Sequence, residues 1–241
     1  MTRALGLGAH RSNKGDRGVE KRLTALAGLT ELSGKRLLDV GCGDGTYTRR
    51  LAGGFDEVTA VDVEPERLAV FRSELEGSEL AAKVRIRQMP AEELDLPDES
   101  FDVVTTIEVL EHVADLNASL SEIHRVLAPG GRFLITSPNR YFPFETHGFF
   151  VLGKRRPPRY GPFLPWIVPL HRRLADARSF TVRGLGRQIE AKGFRLVGVD
   201  YIMPPFDRSG LGGKIRPITD AFERSRLKFF GMALILVLEK V

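Results

Sequence analysis

The residues best suited to chemistry form a glycine-rich turn in the first part of the chain. Gly41, Gly43 and Gly45 occupy alternate positions directly after the apolar run at residues 36–40. Glycine permits a tight turn and lets a ligand approach the backbone, and a helix that begins near Thr46 would direct its N–H groups toward that ligand. The spacing therefore predicts a ligand site at this turn.

A carboxylate follows at a distance that suits a nucleoside ligand. Asp62 lies 21 residues after Gly41, at the end of the next predicted strand, which is about the spacing at which a carboxylate accepts both ribose hydroxyls. The turn reads G-x-G-x-G rather than the G-x-G-x-x-G of dinucleotide enzymes, and it carries Asp39 and Asp44. These acids would repel a pyrophosphate and attract a cationic amino group. We therefore expect S-adenosylmethionine as the cofactor.

A second group of polar residues, Glu108-Val-Leu-Glu111-His112, follows the predicted strand at residues 101–107. We predict a helix over residues 109–127, in which positions i, i+3 and i+4 share one face at the carboxyl end of the strand. Two interpretations stay open: a divalent metal site with His147 as a further ligand, or acids that stabilise the helix N-terminus while His112 faces the pocket. We assign His112 and His147 as candidate bases and commit to no metal ligand.

Six motifs mark the stretch from Leu37 to Ser137. They are Leu37-Leu-Asp-Val-Gly-Cys-Gly-Asp-Gly45, Val61-Asp62, Ala91-Glu-Glu-Leu-Asp-Leu-Pro97, Ser100-Phe-Asp-Val-Val104, Glu108-Val-Leu-Glu-His-Val113 and Arg125-Val-Leu-Ala-Pro-Gly-Gly131. Together they resemble the class I S-adenosylmethionine-dependent methyltransferases, and especially the branch similar to ubiquinone- and menaquinone-biosynthesis methyltransferases. Glu-x-x-Glu-His also resembles the metal site of some ubiquinone-pathway O-methyltransferases and small-RNA 3′-end methyltransferases.

The resemblance implies a set of cofactor contacts. The three glycines would surround the methionine and ribose parts, Asp62 would bind the ribose, and Ala91 and Glu92 would flank the adenine. Pro90 replaces the aspartate that the family commonly has there. Cys42 would contribute small size and a backbone N–H. The full set of expected cofactor-site residues is Asp39, Gly41, Cys42, Gly43, Asp44, Gly45, Asp62, Val63, Ala91, Glu92 and Glu108.

The elements that must position these residues alternate between strand and helix. We predict strands at residues 36–40, 57–63, 83–89, 101–107, 131–137, 194–202 and within 231–241, with helices at 65–76, 109–127 and 181–192. An amphipathic helix containing Val19 and Leu23 should precede them. The expected fold is α/β: a Rossmann-like, seven-stranded, mostly parallel sheet with helices on both faces and an antiparallel last strand. Residues 1–15 should form a flexible arm and residues 16–241 a single domain.

Residues 140–179 interrupt this alternation with six prolines and with seven basic residues from Lys154 to Arg178. The basic residues are Lys154, Arg155, Arg156, Arg159, Arg172, Arg173 and Arg178, and they alternate with Phe149, Phe150, Tyr160, Phe163 and Trp166. We interpret this insert as a lid that excludes water from the site. Binding of a phosphate-bearing or lipid-linked acceptor, or contact with an anionic membrane surface, stays an alternative.

Composition restricts the remaining choices. Residues 1–139 hold 17 Lys and Arg against 23 Asp and Glu, whereas residues 140–241 hold 19 Lys and Arg against 8 Asp and Glu. This excess of positive charge predicts that residues 140–241 either bind an anionic partner or present a solvated basic face. A single cysteine and an N-terminus without the apolar core of a signal peptide predict a cytoplasmic protein. Base methyltransferases of the amino-group type carry a Pro-Pro-aromatic motif after the fourth strand, which here ends in Ile107-Glu108, so nucleic acid is disfavoured.

We therefore expect methyl transfer to a small-molecule or lipid-linked acceptor, most simply at oxygen, with a histidine as base. The alternatives are an oxidoreductase or aminopropyl transferase on the same fold, or a cofactor-binding module without catalysis.

Overall fold

The computed structural model describes residues 16–158, 161–205 and 210–241. The expected flexible arm at residues 1–15 lies outside the described residues, as do Arg159 and Tyr160 of the insert.

Seven strands form one central sheet. They are β1 (Gly34–Val40), β2 (Phe55–Asp62), β3 (Val84–Gln88), β4 (Phe101–Ile107), β5 (Leu127–Pro138), β8 (Phe194–Ile202) and β9 (Ala233–Lys240), in the order β3-β2-β1-β4-β5-β9-β8. Strands β1 to β5 pair in parallel, while β9 is antiparallel to both β5 and β8. The predicted sheet and its antiparallel last strand are confirmed.

Seven helices accompany the sheet. They are α1 (Asp16–Ala27), α2 (Thr48–Leu51), α3 (Pro65–Leu75), α4 (Leu116–Val126), α5 (Val168–Leu174), α6 (Val182–Glu190) and α7 (Gly210–Glu223) among the described residues. Both faces of the inner strands are buried: Leu38 packs in one core with α4 and α6, and Leu37 packs in the other with α1 and α3. Strands buried on both faces appear in the sequence as continuous apolar runs, which is why their positions were predictable.

The helix after β4 begins later than predicted. The side chain of Asp115 accepts hydrogen bonds from the backbone N–H groups of Asn117 (2.8 Å) and Ala118 (3.1 Å), so it caps α4 at Leu116. Glu108, with φ of 59°, lies in the left-handed region that a helix does not use. Residues 108–114 are therefore a turn, and the expected helical face shared by Glu108, Glu111 and His112 is wrong.

The insert leaves the sheet after β5 and returns beside the point where it left. The backbone N–H of Arg140 donates to Phe180 O (2.8 Å), and that of Phe180 donates to Pro138 O (3.0 Å). Between these points lie a hairpin, β6 (Phe149–Val151) with β7 (Lys154–Arg156), and then α5. The insert therefore stands at the carboxyl end of β5, on the same edge of the sheet as the ends of β1 and β4.

Helix α7 and the 3-10 helix Arg226–Phe230 were not predicted. Helix α7 contains Pro217 and three glycines, which are poor helix formers. The helix propensity of this segment therefore did not predict a helix. Among the described residues, no helix has the length and the apolar character needed to cross a membrane.

Candidate active site

The glycine-rich turn after β1 needs glycine on two grounds. Gly41, Gly43 and Gly45 all have positive φ, of 73°, 57° and 76°, a region that other residues enter only with strain. A Cβ added at each would also overlap a neighbouring side chain, which is Val109, Arg67 or Phe71 respectively. Glycine is therefore required here because neighbouring side chains fill the space that a Cβ would need.

Asp62 joins this turn to the end of β2. Its Oδ2 accepts a hydrogen bond from Gly43 N (2.7 Å), its Oδ1 accepts one from Glu64 N (2.9 Å), and the side chain is 6% exposed. Each carboxylate oxygen keeps further acceptor capacity beyond one bond. The acid and the turn, which the sequence predicted as parts of one site, therefore lie in direct contact.

Asp39 lies beneath the turn. Its two oxygens accept hydrogen bonds from the hydroxyls of Thr48 (2.6 Å) and Thr105 (2.8 Å), and the side chain is buried. Burial raises the pKa of Asp39 to about 6. Asp39 therefore anchors the turn to α2 and β4, and any effect on a ligand comes through its charge.

Two further turn residues have local roles. Asp44 accepts hydrogen bonds at Oδ1 from the N–H (3.2 Å) and hydroxyl (2.6 Å) of Thr46, which shapes the turn before α2. Cys42 is buried, and burial raises the pKa of its thiol well above the usual value. A thiol that resists ionisation is a poor nucleophile, in agreement with a backbone role for Cys42.

Three further residues of the expected cofactor site, Val63, Ala91 and Glu92, follow β2 and β3. Val63 is an exposed apolar side chain just after β2, and Ala91 is buried. Glu92 turns its Oε1 toward the backbone N–H groups of Ala114 (2.7 Å) and Asp115 (3.2 Å). The Glu92 carboxylate therefore holds the turn before α4.

Glu108 contacts α1 and β5. Its Oε1 accepts hydrogen bonds from the Thr136 hydroxyl (3.1 Å) and from Nε of the buried Arg22 (3.4 Å). Burial alone would lower the pKa of Arg22, but the Glu108 carboxylate raises it and the pKa is raised overall. Glu108 thus ties α1 to the end of β4 and lies outside the expected metal group.

Glu111, His112 and His147 do converge. One potential ligand atom from each lies within 4.8 Å of the others. Oε1 of Glu111 is 4.0 Å from Nε2 of His147, and the two imidazole rings meet edge to face with centroids 5.0 Å apart. Ser137 at the end of β5 donates to Oε2 of Glu111 (3.1 Å). A carboxylate and two imidazoles at this spacing can relay a proton or coordinate a divalent cation.

The comparisons with known proteins agree with this geometry. Residues 38–135 match the family model described as a methyltransferase domain. The ubiquinone biosynthesis O-methyltransferase of Xanthomonas oryzae is 39% identical over 120 residues, which are 49% of either chain. The demethylmenaquinone methyltransferase of Symbiobacterium thermophilum is 34% identical over 152 residues, 61% of this chain and 59% of that protein.

Residues 38–135 are therefore similar to a methyltransferase domain. A methyltransferase structure from Mesorhizobium loti has the same fold, with a TM-score of 0.64 at 21% identity over 90% of this chain and 96% of that one. This chain spans about half the length of the first curated relatives that it matches.

The backbone at His147 is held by Glu145, which in turn contacts His171. Glu145 Oε1 accepts hydrogen bonds from the backbone N–H groups of Thr146 and His147, both at 2.9 Å. Glu145 Oε2 lies 2.8 Å from Nε2 of His171 on α5, and both side chains are nearly fully buried. Sequence reasoning missed this pair because its members are 26 residues apart in an irregular segment.

The basic residues of the insert divide into two groups. Arg178 donates to the backbone carbonyls of Leu110 and Ala114, and Arg155 pairs with Asp176 (2.7 Å), so these two hold the structure together. Arg155 is nevertheless exposed, so a role toward an anionic acceptor stays a prediction. Lys154, Arg156, Arg172 and Arg173 are exposed.

Proposed function

We propose that this methyltransferase domain transfers the methyl group of S-adenosylmethionine to a hydroxyl oxygen of a small, quinone-like or lipid-linked acceptor. The observation that carries the proposal is the convergence of Glu111, His112 and His147 beside the glycine-rich turn. Strands β1 and β4 pair directly, with Val40 opposite Thr106. The loops that follow these two strands therefore lie side by side, one suited to the cofactor and the other to the acceptor.

The turn fits the cofactor because its glycines hold a tight backbone at the carboxyl end of β1, in contact with the Asp62 carboxylate. When bound, the cofactor supplies a methyl group activated by a sulfonium. Asp62 would accept from a ribose hydroxyl with the lone pairs that its bonds to Gly43 and Glu64 leave, and Val63 would cover the adenine. The buried charge of Asp39 would favour the cationic end.

The acceptor oxygen must lose its proton as it attacks. His147 or His112 would take that proton while the new C–O bond forms and the C–S bond breaks, leaving its electron pair on sulfur. Glu111, 4.0 Å from His147, would stabilise the imidazolium that results. The proton then passes to solvent, which balances the step.

A metal-assisted variant is the second candidate, and the spacing of the same three side chains favours it. Glu111, His112 and His147 would supply one oxygen and two nitrogen ligands, a set that suits several divalent cations. Activity would then vanish on chelation and return with magnesium, manganese or zinc. Full activity after exhaustive chelation contradicts the metal variant and leaves the base mechanism.

The deciding experiment follows S-adenosylhomocysteine formation with a panel of phenols and hydroquinones. His147→Ala should lower kcat by about 10²- to 10⁴-fold, the usual contribution of a general base, with cofactor affinity unchanged. His124→Ala, on α4 and outside the site, is the matched control. The rate should rise with pH as the base loses its proton.

A carbon-13 methyl label identifies the atom that is methylated. A product methylated at carbon would contradict the oxygen assignment. Absence of any turnover together with tight cofactor binding would favour a binding module.

A further inference from the structure

The turn at residues 108–114 carries Glu111 and His112 between β4 and α4. A helix or a strand satisfies its carbonyl groups within regular secondary structure, whereas a turn needs hydrogen-bond donors from elsewhere in the molecule. The source of those donors therefore decides which part of the fold fixes the positions of the two side chains.

Arg178 supplies donors to four carbonyl groups of this turn. Its backbone N–H donates to Glu111 O (3.1 Å). The half-buried guanidinium donates to the carbonyl oxygens of Leu110 (3.5 Å), Val113 and Ala114 (3.1 Å). These acceptors lie on both sides of the pair Glu111-His112 in the chain, so one arginine holds the backbone before and after the two side chains.

Arg178 lies at the end of the insert, two residues before Phe180. The backbone N–H of Phe180 donates to Pro138 O (3.0 Å), which returns the insert to the end of β5. His147 belongs to the same insert, and its Nε2 is 4.0 Å from Oε1 of Glu111. Arg178 therefore joins the two segments of the chain whose side chains converge in the site.

Other residues hold different groups of the turn. The Glu92 carboxylate accepts from the backbone N–H groups of Ala114 (2.7 Å) and Asp115 (3.2 Å), and Ser137 donates to Oε2 of Glu111 (3.1 Å). These contacts fix N–H groups and one side chain, whereas the carbonyl groups are held from the insert. Loss of the Arg178 guanidinium would therefore release three of those carbonyl groups.

We infer that Arg178 is a positioning residue for the proposed methyl transfer, because it holds the turn in the shape that places Glu111 and His112 beside His147. Its effect on the rate rests on the proposed function, whereas the arrangement of the three side chains is independent of that function. Arginine suits this role because a planar guanidinium can serve several carbonyl groups at once, while the ammonium group of lysine is a compact point charge.

Steady-state kinetics of two substitutions test the effect on the rate. Arg178→Ala should lower kcat about 10- to 100-fold, the usual effect of removing a group that orients a functional residue, with cofactor affinity unchanged. Arg178→Lys keeps the charge and a donor and should recover part of the loss. It also provides both readouts if the alanine variant does not fold.

The matched control is Arg132→Ala, because Arg132 also holds backbone carbonyl groups with its guanidinium. It donates to Glu31 O and Ser33 O, both at 2.6 Å, beside the start of β1 and thus at the opposite edge of the sheet. This substitution removes the same kind of contact away from the site. The control should keep the kcat of the parent.

Nuclear magnetic resonance gives a readout that needs no turnover. The rings of His112 and His147 meet edge to face with centroids 5.0 Å apart, so each ring shifts the proton resonances of the other. The resonances are assigned with His112→Gln and His147→Gln. They should move in Arg178→Lys and stay in place in Arg132→Ala.

Two results would overturn the inference. One is an unchanged kcat with unchanged histidine resonances in both Arg178 variants. The other is a parallel loss of thermal stability and cofactor affinity in both variants, without recovery by lysine, which would assign Arg178 to the fold alone. If the parent methylates none of the acceptors, the proposed function fails, and the histidine resonances still decide the role of Arg178.

Discussion

At the scale of single residues, Asp62 connects the turn geometry to cofactor binding. We predict that Asp62→Asn weakens S-adenosylmethionine binding about 10- to 150-fold, because one hydrogen bond to a charged group is lost. Asn keeps the shape and one acceptor oxygen, but its amide nitrogen then faces the backbone N–H of Gly43 or of Glu64, so thermal unfolding is measured alongside. Calorimetry measures the effect, and Asp56→Asn, exposed at the start of the same strand, is the control. Equal affinity in the two variants would exclude the ribose assignment.

Asp39 gives a residue-scale prediction about stability and pH. Burial raises its pKa from 3.8 to about 6, so its ionisation opposes folding. The contribution of Asp39 to the free energy of unfolding is present in full below about pH 4 and is lost as the pH rises through 6. Asn at position 39 has the shape of the protonated aspartate but does not ionise. The free energy of unfolding of Asp39→Asn, relative to that of the parent, should therefore increase between pH 4 and 7, by at most about 3 kcal/mol.

Urea unfolding of the parent and of Asp39→Asn at several pH values measures that difference. The same variant should bind the cofactor more weakly, since a buried negative charge under the turn is removed. A stability difference that does not change with pH would mean that Asp39 is already neutral or compensated in the fold.

At the scale of elements, the contact between α5 and residues 145–147 positions a candidate base. His171→Ala should lower kcat roughly 10- to 100-fold while cofactor affinity stays constant, because Glu145 loses the partner that orients it against the His147 backbone. His171→Gln keeps a donor and should recover part of the loss. Steady-state kinetics and a cofactor titration give the two readouts.

A purely structural role for His171 predicts a different pattern. Both variants would then lose stability and cofactor binding together, and Gln would bring no recovery in kcat. Thermal unfolding of each variant distinguishes the two cases.

At the scale of the whole molecule, the positive charge of residues 140–241 should act on the acceptor. Lys154→Gln with Arg156→Gln should raise the acceptor KM severalfold and reduce its dependence on salt, because exposed charges attract over a screening length of about 8–10 Å. Cofactor affinity should stay constant. Arg183→Gln with Arg187→Gln on α6 removes the same charge elsewhere and is the control. An equal rise of KM in both variants would show only an effect of net charge.

Much of the fold and half of the site could be predicted because their signals are local. A buried parallel strand is a short apolar run, and a turn with positive φ needs glycine wherever it occurs. Asp62 follows the glycine-rich turn at a predictable number of residues, because the helix and the strand between them have limited lengths. Helix α7 escaped prediction because its glycines and Pro217 give no helical signal.

The sequence by itself therefore determined the sheet, the glycine-rich turn and the acid at the end of β2. Only the tertiary structure decided which residues contact the second group of polar residues, Glu108, Glu111 and His112. Whether Glu108 joins Glu111 or turns to Arg22 depends on where α1 packs and on Asp115, which ends the turn by capping α4. His147 lies near Glu111 because the insert returns to the carboxyl end of β5, where it left the sheet. The contact between Glu145 and His171 holds the insert in this position. Side chains far apart in sequence come into contact where packing is favourable, and no local sequence pattern predicts such contacts.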